Sequence, residues 1–171
     1  MIDMKIKRLA IGSSVVALIV GVALATAASA GGKPLHHVSV GGPDACEAFA
    51  GTGPGCDANF SLTAIEFNDT TVNGHYTDQF GHGNGGFHAV IDCLVVINNE
   101  AWVSGIITHG TLAGFGDLTG VPVAARVVDN GRSKNDPPDQ ISFSNIGDSR
   151  PCTAMVPYGL FDMPDGQVKV R

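Results

Sequence analysis

The sequence is poor in charged and aromatic side chains. Asp, Glu, Lys and Arg together make up 15% of its 171 residues, and Phe, Trp and Tyr make up 6%. Ten basic residues stand against sixteen acidic ones, which gives a net charge of −6. Nucleic-acid backbones and anionic lipid surfaces are bound by clustered Lys or Arg. Neither is therefore expected as a partner of this chain.

Helical periodicity is also missing. Beyond residue 30, no window of ten or more residues repeats its apolar positions at the 3.6-residue spacing of a helix. The whole chain contains 23 glycines and 9 prolines, which separate short runs of alternating residues. This pattern predicts an all-β fold, either a single antiparallel β-sandwich or a small β-barrel, with seven to eight strands.

Residues 1–30 have the composition of a secretory signal peptide. Their three parts are a basic start at Lys5, Lys7 and Arg8, an apolar run over 15–25, and a small-residue end at Ala28-Ser29-Ala30. A membrane anchor is disfavoured, because about 20 apolar residues are needed to span a bilayer and no charged flank follows this run. Cleavage after Ala30 removes three basic residues and one acidic residue. We expect a secreted or periplasmic protein of net charge about −8, with no membrane attachment.

The remaining 141 residues are enough for one domain with a single core. We expect 31–58, rich in Gly and Pro, to form an N-terminal arm with one strand at 37–40, and 59–171 to form the β-domain. The strands expected in the β-domain are 59–67, 71–80, the two strands of a central hairpin, 121–128, 140–146 and 166–171.

The chain is organised around this central hairpin, 87–109, in which two apolar, β-branched runs flank Asn98-Asn99. Asn tolerates the left-handed backbone that a two-residue primed turn needs at its central positions. With that turn, residues whose numbers sum to 197 oppose each other. One face then carries Val90, Leu94, Val96, Ala101, Val103 and Ile107, and the other carries Ile91, Val95, Ile97, Trp102 and Ile106. Two apolar faces predict a hairpin that is covered on both sides.

Four cysteines, Cys46, Cys56, Cys93 and Cys152, follow the leader, and an even number in an exported chain predicts two disulfides in one of three pairings. We favour Cys46 with Cys56, closing a short loop for about 3 kcal/mol, and Cys93 with Cys152, tying the hairpin to the C-terminal segment for about 4 kcal/mol. Zinc binding by thiolates is disfavoured because no CxxC spacing occurs.

Three stretches resemble a pattern found in uncharacterised secreted bacterial β-proteins: FHAVIDCLVVINNEAWVSGIITHG over 87–110, the segment 125–131, and DPPDQISFS over 136–144. The pattern joins a CLxVxGNxAxxxG hairpin to a VxDNGxxxxxPPDxxS segment and a late Cys. The resemblance covers about 60–171 and departs from the pattern at Asn98, where the family has Gly. It implies export, a β-fold and pairing of Cys93 with Cys152. It implies no catalytic residue.

Two short motifs suggest chemistry, but their positions in the chain argue against it. Gly81, Gly83 and Gly86 match GxGxxG, yet the dinucleotide fingerprint needs a helix after it, and here a strand is expected. Gly147-Asp148-Ser149 resembles the nucleophile block of a secreted esterase family. Its late position, and the absence of any His after His109, argue against a triad based on Ser149.

Two sets of residues are candidate metal ligands. Asp129, Asn130, Asn135, Asp136 and Asp139 offer hard oxygen donors to Ca²⁺ in one loop, although Asx-turns account for them equally well. His88 and His109 oppose each other in the predicted register, with Asp92 on the same face, and could share Zn²⁺ or Cu²⁺ with His82 as a third ligand. Without metal they are ordinary strand-end histidines.

The expected function is that of a secreted, non-catalytic β-domain presenting loops for binding or adhesion to an unknown extracellular or periplasmic partner, with no obligate cofactor. A small-ligand carrier with a barrel cavity is the alternative. An extracellular hydrolase is third.

Overall fold

The computed structural model describes residues 32–43, 59–81, 83–133, 135–163 and 165–171. In these parts the chain is all-β, and its one helical element is a 3₁₀ turn at Cys152–Ala154. The strands are β1 Pro34–Pro43, β2 Asn59–Phe67, β3 Val72–Gln79, β4 Gly85–Ile97, β5 Glu100–Leu112, β6 Gly116–Asp117, β7 Pro122–Val128, β8 Asp139–Ser142, β9 Asn145–Ile146, β10 Leu160–Met163 and β11 Gln167–Val170. The all-β prediction is confirmed.

The strands form one antiparallel sheet. Its order is β10-β8-β7-β5-β4-β3-β2-β1-β11, with β6 beside β5 and β9 beside β7. The predicted count of seven to eight strands is too low, because β6, β9 and β10 are only two to four residues long and show no readable alternation. β1, which lies in the expected N-terminal arm, pairs with both β2 and β11.

The sheet is nearly closed, in the manner of a barrel. Its last strand, β11, lies against β7 and β8 on the far side of the sheet. Two carboxylates join β11 to this far side of the sheet, and we call the junction the seam. Asp139 accepts the Val168 N–H at 2.7 Å, and Asp129 accepts the Val170 N–H at 3.0 Å. Side chains therefore satisfy the edge donors of β11 that a neighbouring strand would satisfy in a closed ladder.

The inward side chains form one hydrophobic cluster that takes in residues from β1 to β11. Its largest fully buried members include Tyr76, Phe87, Leu62, Ile91 and Ile107. The rings of Tyr76 and Phe87 meet edge to face, 5.1 Å between centroids. Burying each such side chain is worth about 1.5–3 kcal/mol. The interior is thus filled by side chains from every part of the sheet.

The central hairpin follows the predicted register at its turn, where Ile97 pairs with Glu100, Val95 with Trp102 and Cys93 with Ser104. Among the two turn residues, only Asn98 has a positive φ, of 58°. The expectation that both Asn residues are left-handed is wrong. A positive φ at the first central residue alone is the requirement of a type II′ turn.

Two β-bulges interrupt this register. Asp92 is unpaired on β4 and Thr108 is unpaired on β5, so Val90 pairs with Ile106 and not with Ile107. One extra residue reverses which side chains face inward. The predicted faces of two residues are therefore wrong, because Ile91 is buried in the core and Val90 is 45% exposed. The second bulge restores the pairing of His88 with His109.

A segment after β9 covers part of the outer face of this hairpin. Residues 152–158, which we call the strap, are attached by the Cys93 to Cys152 disulfide, whose Cα atoms lie 5.8 Å apart. The Trp102 Nε1–H donates to the Val156 carbonyl at 2.9 Å, and Arg126 donates to the Tyr158 carbonyl at 3.2 Å. The predicted pairing of these two cysteines is confirmed. The predicted pairing of Cys46 with Cys56 lies outside the described residues.

Candidate functional site

The outer face of the central hairpin is only half covered. At the strap end, Trp102 and Ser104 are buried, and the Cys152 N–H donates to the Ser104 hydroxyl at 3.1 Å. At the other end, the cross-strand neighbours Val90 and Ile106 are 45% and 44% exposed. The expected two-sided burial thus holds for one half of the hairpin. The uncovered half is where a ligand or partner has access.

A groove of about 470 Å³ lies at this uncovered end. It spans β3, β4, β5 and β6, and its walls include Thr77, Asp78, Phe87, His88, His109 and Asp117. Glycines at 85, 86 and 110 leave part of the wall as bare backbone. At Gly86 a Cβ would lie 2.4 Å from the Asp78 carbonyl oxygen, so the close approach of β3 and β4 requires glycine there.

The two histidines in this groove are stacked. His88 and His109 are direct cross-strand partners, and both are exposed. Their ring centroids lie 4.4 Å apart, with 22° between the ring planes. This juxtaposition is the one predicted from the hairpin register. The predicted third ligand, His82, lies outside the described residues, and Asp92 is exposed at the bulge.

A threonine hydroxyl holds the Nδ1 atom of each imidazole. His88 Nδ1 lies 3.0 Å from the Thr77 Oγ1, and His109 Nδ1 lies 3.2 Å from the Thr108 Oγ1. The Thr108 hydroxyl also donates to the His88 carbonyl at 3.0 Å. Since a hydroxyl has one proton, both Thr108 contacts are hydrogen bonds only when His109 Nδ1 is the donor. The Nε2 atom of His109 then keeps its lone pair.

Two connections adjoin strand ends that line the groove, and we call them its rim: the β3–β4 connection, of which Phe80, Gly81, Gly83 and Asn84 are described, and the β5–β6 turn, residues 113–115. The Ala113 N–H donates to the Asn84 carbonyl at 3.0 Å, which ties the two loops together. Phe115, at the tip of the turn, is 82% exposed and has a left-handed glycine on each side. An aromatic side chain in this position is held out into solvent by a loop that is itself anchored.

The candidate calcium ligands are engaged with backbone donors. Asp129 and Asp139 form the seam, and Asp139 also accepts the Asn130 N–H at 2.8 Å. Asp136 accepts the Ser133 N–H at 2.7 Å, and Asn135 donates its N–H to the Ser133 hydroxyl. Among the described residues, no group of three or more His, Cys, Asp or Glu side chains is arranged to hold a metal ion. Calcium binding remains a prediction.

The Asp148–Ser149 motif is tied to a local ion pair. Asp148 accepts hydrogen bonds from Arg150 and from the Tyr158 hydroxyl, the latter at 2.7 Å. These bonds, that from Arg150 foremost, hold the pKa of Asp148 far below its usual range. Burial, together with the hydrogen bond that the Tyr158 hydroxyl donates to Asp148, raises the pKa of Tyr158 to about 12. Asp148 thus serves to fasten the end of the strap.

One polar cluster was not predicted. Tyr76 and Asp78 alternate inward on β3 and meet Ser144, which follows β8. The Tyr76 and Ser144 hydroxyls lie 2.6 Å apart, and Ser144 donates to Asp78. The alternation of β3 places Asp78 on the same face as Tyr76, and this was the signal available in the sequence. The cluster joins β3 to the far side of the sheet beneath the groove.

No protein-family model, curated protein or solved structure matches this chain. In the parts of the chain that the structure describes, no helix is long and apolar enough to cross a membrane.

Proposed function

We propose that this protein is a secreted, non-catalytic β-domain that binds an extracellular or periplasmic partner through the rim of the groove. The observation that carries the proposal is the 82% exposure of Phe115 at the tip of a turn hydrogen-bonded to the neighbouring loop. Aromatic side chains are enriched at protein interfaces because each supplies a large contact area at low entropic cost. An anchored loop loses less freedom on binding.

The packed interior supports loop binding over ligand transport. A carrier needs an internal cavity, and here Tyr76, Phe87 and Ile107 are among the large side chains that occupy the centre of one continuous cluster. The two seam hydrogen bonds support a small barrel in preference to a sandwich, since they join strands at opposite ends of the sheet.

The surroundings of the chemically capable side chains support a non-catalytic role. Ser144 shares its hydroxyl with Tyr76 and Asp78, and Asp148 is bound to Arg150. A serine nucleophile needs an adjacent general base, which in the Ser-His-Asp triad is an imidazole within hydrogen-bonding distance. In the described part of the chain, the side chains of Ser144 and Asp148 form these hydrogen bonds with tyrosine, aspartate and arginine side chains and not with a histidine. The Cys93 to Cys152 disulfide supports export, because such bonds persist in oxidising compartments.

Photo-crosslinking on intact producing cells and their medium tests this proposal. A photoreactive phenylalanine analogue replaces Phe115 in one chain and Ile97 in a matched control. Ile97 is 44% exposed and ends β4 at the opposite end of the same hairpin. We expect a discrete adduct from position 115 that is absent from position 97. Excess unlabelled parent should suppress that adduct, and excess Phe115→Ser chain should not.

Equal labelling from both positions, or no adduct from position 115, would contradict the proposal. Suppression by the Phe115→Ser chain as strong as that by the parent would contradict the role of the aromatic side chain.

A further inference from the structure

The stacked imidazoles are the strongest ligand set in the described part of the molecule. The geometry points to a surface site for a transition-metal dication such as Zn²⁺ or Cu²⁺, bound by the Nε2 atoms of His88 and His109. This inference concerns the wall of the groove and does not depend on partner binding at the rim. Imidazole nitrogen is a preferred donor for both ions.

The distance between the rings suits one shared ion. A Zn–N bond is about 2.0–2.1 Å long, so two nitrogens bound to the same ion lie at most about 4 Å apart. The centroids of the two rings are 4.4 Å apart, and both side chains are exposed. We infer that rotation of each exposed ring from the stacked arrangement brings the two Nε2 atoms within this limit. The backbone needs no movement, because the two residues are already cross-strand partners.

The threonine contacts prepare the nitrogens for a metal. Histidine ligands in metal sites generally donate the other ring N–H to an oxygen acceptor, which sets the tautomer and the ring orientation. Thr77 and Thr108 offer that acceptor to His88 and His109 at Nδ1. In the described part of the chain, neither Nε2 atom has a hydrogen-bond partner. The two lone pairs needed for coordination are thus directed away from the threonines.

The charge near the pair favours a cation. Asp117 lines the same groove, and its carboxylate accepts hydrogen bonds from the Thr119 hydroxyl and N–H at 2.7 and 2.9 Å. These bonds lower its pKa, so it is anionic at neutral pH. The whole chain has a net charge of −6. An anionic wall attracts a dication to the groove.

Two protein ligands leave coordination positions open. A structural zinc site is closed by four protein donors, whereas a site with open positions takes water or an exogenous donor. No third ligand from the described residues joins this pair. The inferred site is therefore an exchangeable one, which does not contribute to folding.

Calorimetry with zinc chloride at pH 7.5 tests the inference on the full chain, made without a histidine tag. We expect one ion per chain, with affinity lowered at least about tenfold by either His88→Ala or His109→Ala. The matched control is His75→Ala, because His75 is exposed on β3, where it pairs with Val90 one step along the same face. This control should bind zinc as the parent does.

Two further measurements separate metal coordination from a structural effect. Electron paramagnetic resonance of the Cu²⁺ form should show two imidazole nitrogens, reduced to one in each alanine variant. Thr77→Val should weaken zinc binding about 10–100-fold without lowering the melting temperature, since it removes the acceptor for His88 Nδ1. No zinc heat with the parent, binding retained in both alanine variants, or equal loss in His75→Ala would overturn the inference.

Discussion

The seam gives a sharp prediction about stability. Asp139 is 7% exposed and accepts two backbone N–H groups, one from Asn130 at 2.8 Å and one from Val168 at 2.7 Å. Asp139→Ala leaves both donors without an acceptor. An unsatisfied buried donor costs about 1–3 kcal/mol, so we expect the free energy of unfolding to fall by about 2–6 kcal/mol. Asp139→Asn keeps one acceptor and should lose about half as much.

The matched control is Asp136→Ala. Asp136 lies in the same loop and, among the described residues, accepts one N–H, that of Ser133, at an exposed position. Its replacement should cost less than about 1 kcal/mol. Urea unfolding followed by fluorescence of the single tryptophan, Trp102, measures all three variants. Hydrogen exchange gives a local measure, because the Val168 amide should lose protection in Asp139→Ala before the rest of β11 does.

Equal urea midpoints for Asp139→Ala and the parent would refute the role assigned to the seam. So would an Asp136→Ala variant as unstable as Asp139→Ala, since the cost would then come from the loop and not from the bridge to β11.

Two further predictions concern the strap. Trp102→Ala should lower the free energy of unfolding by about 3–5 kcal/mol, because it removes a buried ring and the hydrogen bond of that ring to the Val156 carbonyl. Trp102→Phe should lower it less. Thermal melting measures both variants, and a Trp102→Ala variant that melts like the parent would contradict the packing of Trp102 under the strap. Tyr158→Phe should raise the pKa of Asp148, measured by carboxyl NMR titration, whereas an unaltered pKa would show that Arg150 alone lowers it. Because the folded-state pKa is depressed, Asp148 stabilises the fold above the unfolded-state value near 3.8 and loses this contribution as pH falls toward the folded-state value.

The strands were predictable where alternation runs for several residues. In β2 the buried residues Phe60, Leu62 and Ala64 alternate with more exposed ones, as predicted, and its bounds are those expected from the sequence. The short strand β10 was not predictable, because it holds only four residues and is stabilised by its pairing with β8, about twenty residues earlier in the chain.

The bulge at Asp92 did leave a signal. The unbroken register puts Asp92 on the same face as Val90 and Leu94, and that face was expected to be buried. Burying an unpaired carboxylate is costly, so a charged residue in the middle of an apolar face indicates a change of register. Thr108 gives no comparable signal, because a threonine is acceptable on either face of a strand.

The candidate site was predictable in part. Turn chemistry and register were enough to bring His88 opposite His109, because the two bulges between the turn and the pair offset each other. The role of Asp129 and Asp139 was not predictable, because a carboxylate accepts a backbone N–H as readily as it binds a cation. Which of the two occurs depends on β11, which follows them by 29 to 41 residues.

The bulges account for the way the disulfide and the histidine pair come to share one face. Cys93 lies five residues after His88, and His109 lies five residues after Ser104. On a regular strand, residues an odd number apart point to opposite faces. The extra residues at Asp92 and Thr108 cancel that difference, so the strap anchor and the imidazoles all lie on the outer face. Removing either bulge would turn the histidines or the cysteine into the core. The bulges, more than the turn, therefore determine that the imidazoles and the strap anchor lie on the outer face of the hairpin.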